Sequence, residues 1–269
     1  MAATSPTLKH IILECDGCRV GGYVRDGERG GGVLLGREDF SRLRDEGQNV
    51  VDHSDLYLND TCIDGWAGCL NNTSKEVFMF TSTLTKMFGQ ESIYLKEEEE
   101  DDWKLKKWIT KWSKEENWDG GVGFLFHKRS WVLPYQAEQH WTTVVVDFET
   151  RTIVHMDSLA GYSEDKAQNT KDIIRRLYRI AYPESSLDLS GWAKGGLRNL
   201  SPCQLNYFDC GLFPIIIARS LHHKCLLPST DWLRDKMGLI RRLVVWELLQ
   251  GRILSTVDLE IIGNRPTCD

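Results

Sequence analysis

Cys210 stands where Ser201-Pro202-Cys203-Gln204-Leu205-Asn206-Tyr207-Phe208-Asp209, a polar and turn-like run, gives way to the apolar Gly211-Leu212-Phe213-Pro214-Ile215-Ile216-Ile217-Ala218. A cysteine at the start of a helix meets backbone N–H groups and the positive end of the helix dipole, and both favour thiolate over thiol. Gly211 keeps the backbone behind the sulfur free of side chain, and Gln204, six residues upstream, offers an amide to an oxyanion. These are parts of acyl-transfer chemistry. Taken alone, a cysteine that opens a core helix is packing, since free cysteine is among the most buried residue types. A histidine and an acid have to reach it before the chemical reading stands.

A pair of strands supplies both. His140-Trp141-Thr142-Thr143-Val144-Val145-Val146-Asp147 is rich in β-branched residues, Phe148-Glu149-Thr150 turns, and Arg151-Thr152-Ile153-Val154-His155-Met156-Asp157 returns. A tight loop centred on Phe148 and Glu149 pairs Asp147 with Thr150. Continued to the open end, that register sets His140 opposite Asp157, with Cβ atoms roughly 5 Å apart. A slip of one residue would send the two side chains to different faces. His140, Asp157 and Cys210 then form a candidate triad in which the base reaches the sulfur and the acid holds the charged imidazole. Gln204 and the Cys210 backbone N–H are the expected oxyanion donors. His155 shares a strand face with Asp157 and is the weaker rival base; His53, His127, His222 and His223 read as surface or cap residues. Asp209 reads as a cap for the helix after Cys210.

The elements that must hold these residues follow from periodicity. Asn59 or Asp60 caps a helix whose Ile63, Trp66, Ala67 and Leu70 make one apolar face, closed by Asn71-Asn72. Val33–Leu35, Val77–Phe80 and Ser130–Tyr135 read as strands, and Ser82–Phe88 as a helix. A helix starts near Ser163, turns Ile173, Ile174, Leu177 and Ile180 inward, and stops at Pro183. A short strand is expected at Leu197–Leu200, and a last helix from Thr230 or Asp231 to Gly251. A helix layer against a mixed central sheet is an α+β domain.

The chain has 269 residues, enough for one domain with an extension or insertions: 1–50 as a partly ordered N-terminal extension or a small edge element, and 51–269 as the catalytic unit. Its 41% hydrophobic content supports a core, and its net charge of −6 disfavours nucleic acid as a partner. The eight cysteines are scattered and no stretch reaches the roughly 20 apolar residues of a membrane helix, which points to a reducing interior and no membrane partner. Cys15-Asp16-Gly17-Cys18 has no second pair at zinc spacing, and Gly27-Glu28-Arg29-Gly30-Gly31-Gly32 lacks the ending of a phosphate loop, so no cofactor is expected. The acids Glu97–Asp102 read as a solvated run, with Trp108 and Trp112 on one face of an amphipathic helix after it.

Four separated motifs then carry a resemblance. His140-Trp141, Met156-Asp157-Ser158 and Gln204-Leu205-Asn206-Tyr207-Phe208-Asp209-Cys210-Gly211, with Tyr57-Leu58-Asn59-Asp60-Thr61 before them, resemble the ubiquitin-like-protein-specific cysteine proteases, the Ulp/sentrin (SUMO) protease family, over about residues 55 to 250. The resemblance implies an adenain-like, papain-type fold and cleavage after a Gly-Gly tail at a peptide or isopeptide bond. It implies a ubiquitin-like modifier as partner, SUMO first and a Nedd-type protein or ubiquitin after it, and a nuclear or cytoplasmic setting. It carries over His140 as base, Asp157 as orienting acid, Cys210 as nucleophile and Gln204 as oxyanion donor. Trp141 is similar to the tryptophan that covers the glycine tunnel, and Asp60 to an aspartate that holds the tail. Tyr57 replaces the usual tryptophan, so one wall of the tunnel differs. Two other outcomes stay open: an acyltransferase like the bacterial effector acetyltransferases, which commonly use Glu where this chain has Asp157, and a non-catalytic modifier-binding module.

Overall fold

The computed structural model describes residues 18–20, 33–43, 56–89, 105, 121–161, 163–196 and 202–255. Two short strands, β1 (Cys18–Val20) and β2 (Val33–Leu35), pair antiparallel and lead into α1 (Arg37–Ser41). The Cys15-to-Cys18 pair, the glycine-rich run, His53, the acidic run and the Trp108/Trp112 helix lie, wholly or in part, outside the described residues. Next come α2 (Asp60–Thr73), β3 (Val77–Met79), α3 (Ser82–Gly89) and a 3-10 helix over Gly121–His127. Strands β4 (Ser130–Ala137), β5 (His140–Asp147) and β6 (Thr152–Met156) follow without interruption, then α4 (Glu164–Ala181), β7 (Ala193–Gly196), α5 (Leu212–His223) and α6 (Thr230–Gln250).

The central sheet has the order β3-β4-β5-β6-β7, antiparallel at its centre and parallel at both outer pairs. Alternation along β4 sorts the core into two. Val132 points to a cluster with Trp66, Leu70, Ile215, Ile216 and Val244, drawn from α2, α5 and α6. Trp131 and Leu133 point to the opposite cluster with Phe124, Ile173, Ile174 and Leu177, from the 3-10 helix and α4. The sheet therefore lies between two helical layers, as an α+β domain requires. Helix α5 is buried from Leu212 through Ala218, because the sheet covers one side and α2 covers another. An apolar helix enclosed in this way stays fixed, and it is the helix that follows Cys210.

Local chemistry accounts for the helix ends. The Asn59 side chain accepts from the Cys62 N–H, Ser163 accepts from Lys166, and Ser229 accepts from Trp232. Gly251 ends α6 at φ 65°, a left-handed cap suited to glycine. Helix α2 runs past Asn71 to Thr73, because the Asn71 side chain turns inward to bond both backbone groups of Met79. A strand at Ala193–Gly196 pairs with β6 from Thr152 to His155, and the strand expected at Leu197–Leu200 lies outside the described residues.

The β5–β6 register also differs from expectation. Asp147 pairs with Thr152, not Thr150, which sets Thr142 rather than His140 opposite Asp157. The loop is longer by two residues: the Asp147 carboxylate accepts from the Thr150 N–H, and Arg151 takes φ 53° before β6 begins. A shift of two preserves side-chain parity, so His140 and Asp157 remain on one face as diagonal neighbours. The described part of residues 1–50 is not peripheral: Leu35, Phe40 and Leu43 are fully buried in the core cluster with α2 and α5.

Candidate active site

His140 opens β5 directly after a two-residue hairpin loop, because Ala137 pairs with His140. Glu138 takes φ 55° in that loop, and Gln139 follows with its carbonyl oxygen 3.8 Å from the Cys210 sulfur. Asp157 lies one residue beyond β6, at a turn in which Ala160 N–H donates to its carbonyl oxygen. That turn swings the carboxylate toward the open end of β5. Its Oδ1 lies 2.7 Å from His140 Nε2 and accepts from the Leu159 N–H at 2.8 Å. With Nε2 committed to the acid, Nδ1 is the ring nitrogen left for the sulfur.

Those contacts set the charge of the site. His140 is pushed up to about 9, first by its bond to Asp157 and then by its bond to Cys210, against the opposing effect of burial. Burial alone would raise Asp157, but the His140 bond, the Leu159 N–H and the imidazolium charge together hold it below the ordinary carboxylate range. The elevation favours the charged imidazole at neutral pH. His155 is different: burial pushes it down to about 4, and its Nδ1 accepts from the Ser163 N–H. It is neutral where His140 is charged. His222 and His223 end α5 half-buried, and burial pushes His223 down to about 4.

Gln204 reaches the same place along a second path. Its N–H donates to the Ser158 carbonyl, and its Oε1 accepts from the Ser158 hydroxyl at 2.7 Å. Its Nε2 donates to the Asn206 carbonyl, which leaves one amide hydrogen to offer. The Asp157 loop and the Gln204 loop are thus tied through Ser158, to which the sequence reading gave no role of its own. Asp209 does not cap α5. Its carboxylate is buried and bonds Asn206 and Arg241, and the helix is capped by Gly211 without a side-chain bond.

A cleft of about 230 Å³ is lined by Tyr57, Leu58 and Asn59 on one side and by Gln139 and Trp141, the neighbours of His140 in β5 and its hairpin, on the other. Trp141 is buried, and its indole N–H donates to the Leu58 carbonyl at 2.9 Å, which joins the walls. Asp60 is one residue beyond the lining, with its carboxylate on Lys86 Nζ at 2.9 Å. Two glycines mark the tightest packing. A Cβ on Gly211 would stand 2.7 Å from the Leu58 Cβ and 3.3 Å from the Trp141 ring. A Cβ on Gly161 would collide with Asp157 Oδ2, although Gly161 is itself exposed.

Gly161→Ala is accordingly expected to displace the Asp157 carboxylate from His140 without opening the core. Misplacement of a reacting group by about 1 Å costs on the order of 10²-fold, so kcat/KM should fall roughly ten- to a hundredfold. The melting temperature should stay within a few degrees. Paired thermal melts and steady-state kinetics check both halves of the prediction.

Among the described residues no three His, Cys, Asp or Glu side chains cluster as metal ligands, and no helix is long and apolar enough to cross a membrane. A mixed sheet that turns an imidazole and a carboxylate toward a sulfur at the head of a packed helix defines an α+β fold of papain type. Residues 57–237 match the sequence pattern of the Ulp1 protease family, C-terminal catalytic domain, and the chain belongs to that family. It is similar to Sentrin-specific protease 2 of Homo sapiens, at 26% identity over 149 residues, which cover 51% of this chain and 23% of that protein. The chain spans roughly a quarter of the length of the curated relatives it matches. Its fold is similar to that of the C-terminal Ulp1 protease domain solved in complex with Smt3, the yeast ortholog of SUMO, with a TM-score of 0.61 at 13% identity over 92% of this chain and 96% of that one. It is also similar to the Chaetomium thermophilum Ulp1-like SUMO protease catalytic domain, with a TM-score of 0.58 at 17% identity over 97% and 95% of the two chains.

Proposed function

We propose that this chain is a cysteine peptidase that cleaves after the C-terminal Gly-Gly of a ubiquitin-like modifier, with SUMO the first candidate. The observation that carries the reading is the His140 imidazole held by the Asp157 carboxylate at 2.7 Å, with Gln139, the residue just before it, placing its carbonyl oxygen 3.8 Å from the Cys210 sulfur. Family membership supports the same reading, and the complex of a similar domain with Smt3 supports the choice of SUMO.

In the proposed cycle the Cys210 thiolate attacks the carbonyl carbon of the modifier's last glycine. The oxyanion is met by the remaining Gln204 amide hydrogen and the Cys210 N–H. His140 delivers its proton to the departing amine as the C–N bond breaks, leaving a thioester on Sγ. Water then attacks the thioester, gives its proton to His140, and releases the modifier with a free carboxylate. Asp157 holds the ring and stabilises its charged form throughout. A Gly-Gly tail, which has no side chains, suits the narrow cleft beside Leu58 and Trp141. Tyr57 forms part of its wall, and Asp60, at its rim, meets the modifier's tail. The catalytic unit runs from 51 to 269 in this reading, and a nuclear or cytoplasmic setting keeps the sulfur reduced.

The test is covalent capture by modifiers that carry a C-terminal electrophile, with SUMO, a Nedd-type protein and ubiquitin in parallel. Capture of SUMO on Cys210, and none by the Cys210→Ala protein, is the expected result. Failure of every modifier to react while iodoacetamide still alkylates Cys210 would overturn the assignment.

A further inference from the structure

Asp209, beside the nucleophile, is buried, and so is the arginine that holds it. Arg241 on α6 is 1% exposed. Its Nε and Nη2 donate to Asp209 Oδ1 at 3.2 and 2.5 Å. Its Nη1 donates to the Arg42 carbonyl at 2.6 Å, and both Nη atoms donate to the Leu56 carbonyl, at 3.3 and 3.2 Å. The five N–H donors of the guanidinium therefore all meet acceptors. Its plane also lies against the Phe208 ring, with Cζ 5.7 Å from the ring centre.

The acceptors belong to two separate parts of the site. Leu56 precedes Tyr57, Leu58 and Asn59, the wall whose Leu58 carbonyl anchors Trp141. Arg42 itself lines the cleft and donates to the Tyr57 carbonyl at 3.0 Å. Asp209 leads into the other part. Its Oδ2 accepts from Asn206 Nδ2 at 2.7 Å, and Asn206 Oδ1 accepts from the Phe208 and Asp209 N–H groups. The Asn206 carbonyl in turn accepts from Gln204 Nε2 at 2.7 Å. A continuous run of hydrogen bonds thus joins a helix far along the chain to the amide that faces the oxyanion.

We propose that Arg241 is a positioning residue of the site: through Asp209 and Asn206 it sets the Gln204–Cys210 loop, and through Leu56 and Arg42 it sets the cleft wall against that loop. The inference rests on the proposed peptidase reading. It assigns Arg241 no contact with substrate. What it supplies is preorganisation of the oxyanion donors, which acts in the transition state more than in the bound ground state. Lysine cannot replace it, because one ammonium has three donors on a point charge and cannot span both sets of acceptors.

The test compares wild type, Arg241→Lys and Asn206→Ala as full chains, at a temperature where melts show each to be folded. SUMO carrying a C-terminal aminocoumarin after Gly-Gly is the substrate, and iodoacetamide alkylation of Cys210 is the second readout. Expected is a ten- to hundredfold fall in kcat for both variants, with the alkylation rate within threefold of wild type, because the His140–Asp157 pair is untouched. A merely structural tie would lower the melting temperature and leave kcat of the folded protein unchanged. Should Arg241→Lys fail to fold, Asn206→Ala, altered on a partly exposed loop, decides alone. Unchanged kcat in the folded variants overturns the role of Arg241, whereas a wild type that cleaves no modifier overturns the peptidase reading beneath it.

Discussion

Cys210→Ala is expected to lower turnover by roughly 10⁴- to 10⁶-fold while modifier binding persists, as loss of a nucleophile does in other covalent hydrolases. In the proposed cycle the sulfur makes the bond to substrate, whereas the affinity is assigned to the cleft beside Leu58 and Trp141. Cys210 is 1% exposed within the core cluster, yet its truncation removes one atom, and the cost in stability should be near 1 kcal/mol. Single-turnover kinetics with a SUMO substrate, beside titration calorimetry of SUMO binding, separate the two effects. Turnover above one hundredth of wild type would require another nucleophile. Cys62 and Cys69 are poor substitutes, since burial pushes both thiols up, Cys69 to about 12.

Asp157→Ala carries the second large effect. The His140 imidazolium owes its elevation to about 9 first to the bond with Asp157, so its loss returns the ring toward its ordinary 6.5. A neutral ring at pH 8 can neither stabilise the thiolate nor protonate the leaving amine, and kcat should fall roughly 10²- to 10⁴-fold. The alkaline limb of the pH–rate profile should move from about 9 in wild type to near neutrality in the variant. Stability follows the same linkage. A histidine raised on folding contributes fully below its ordinary 6.5, and the contribution is lost as pH rises through about 9. Asp157, held low, contributes above its ordinary 3.8 and loses that contribution as pH falls. Wild type should therefore lose more melting temperature than Asp157→Ala between pH 6.5 and 9. Melts across that range that run parallel for the two proteins would contradict the pairing.

How much of this was readable in the chain divides along physical lines. The placing of His140 and Asp157 on one face near strand ends, and of Cys210 at a helix start, was legible because periodicity marks those ends. The cap at Asn59 or Asp60 and the helix start near Ser163 were legible because caps act within a few residues of themselves, and the structure gives the caps to Asn59 and Ser163. The β5–β6 register was misread by two residues, because it depends on an Asp147 side-chain bond and a left-handed Arg151 that no glycine announces. The β4–β5 hairpin went unseen for the same reason, since Glu138 fills a position where asparagine or glycine would have marked the turn. Asp209 was taken for a cap because its partner, Arg241, lies 32 residues away, and sequence pattern carries no information about such a contact. Gly161 resembles any exposed loop glycine until the Asp157 carboxylate is seen beside it.

The sulfur belongs to the helical layer, and the imidazole and carboxylate belong to the sheet. A growing polypeptide therefore releases its base and acid first, its thiol later, and the arginine that steadies them last. In the proposed reading the site exists only once the two layers close on each other, so a half-made chain would cut nothing, and the speed with which a mild alkylating agent finds residue 210 becomes a gauge of finished assembly.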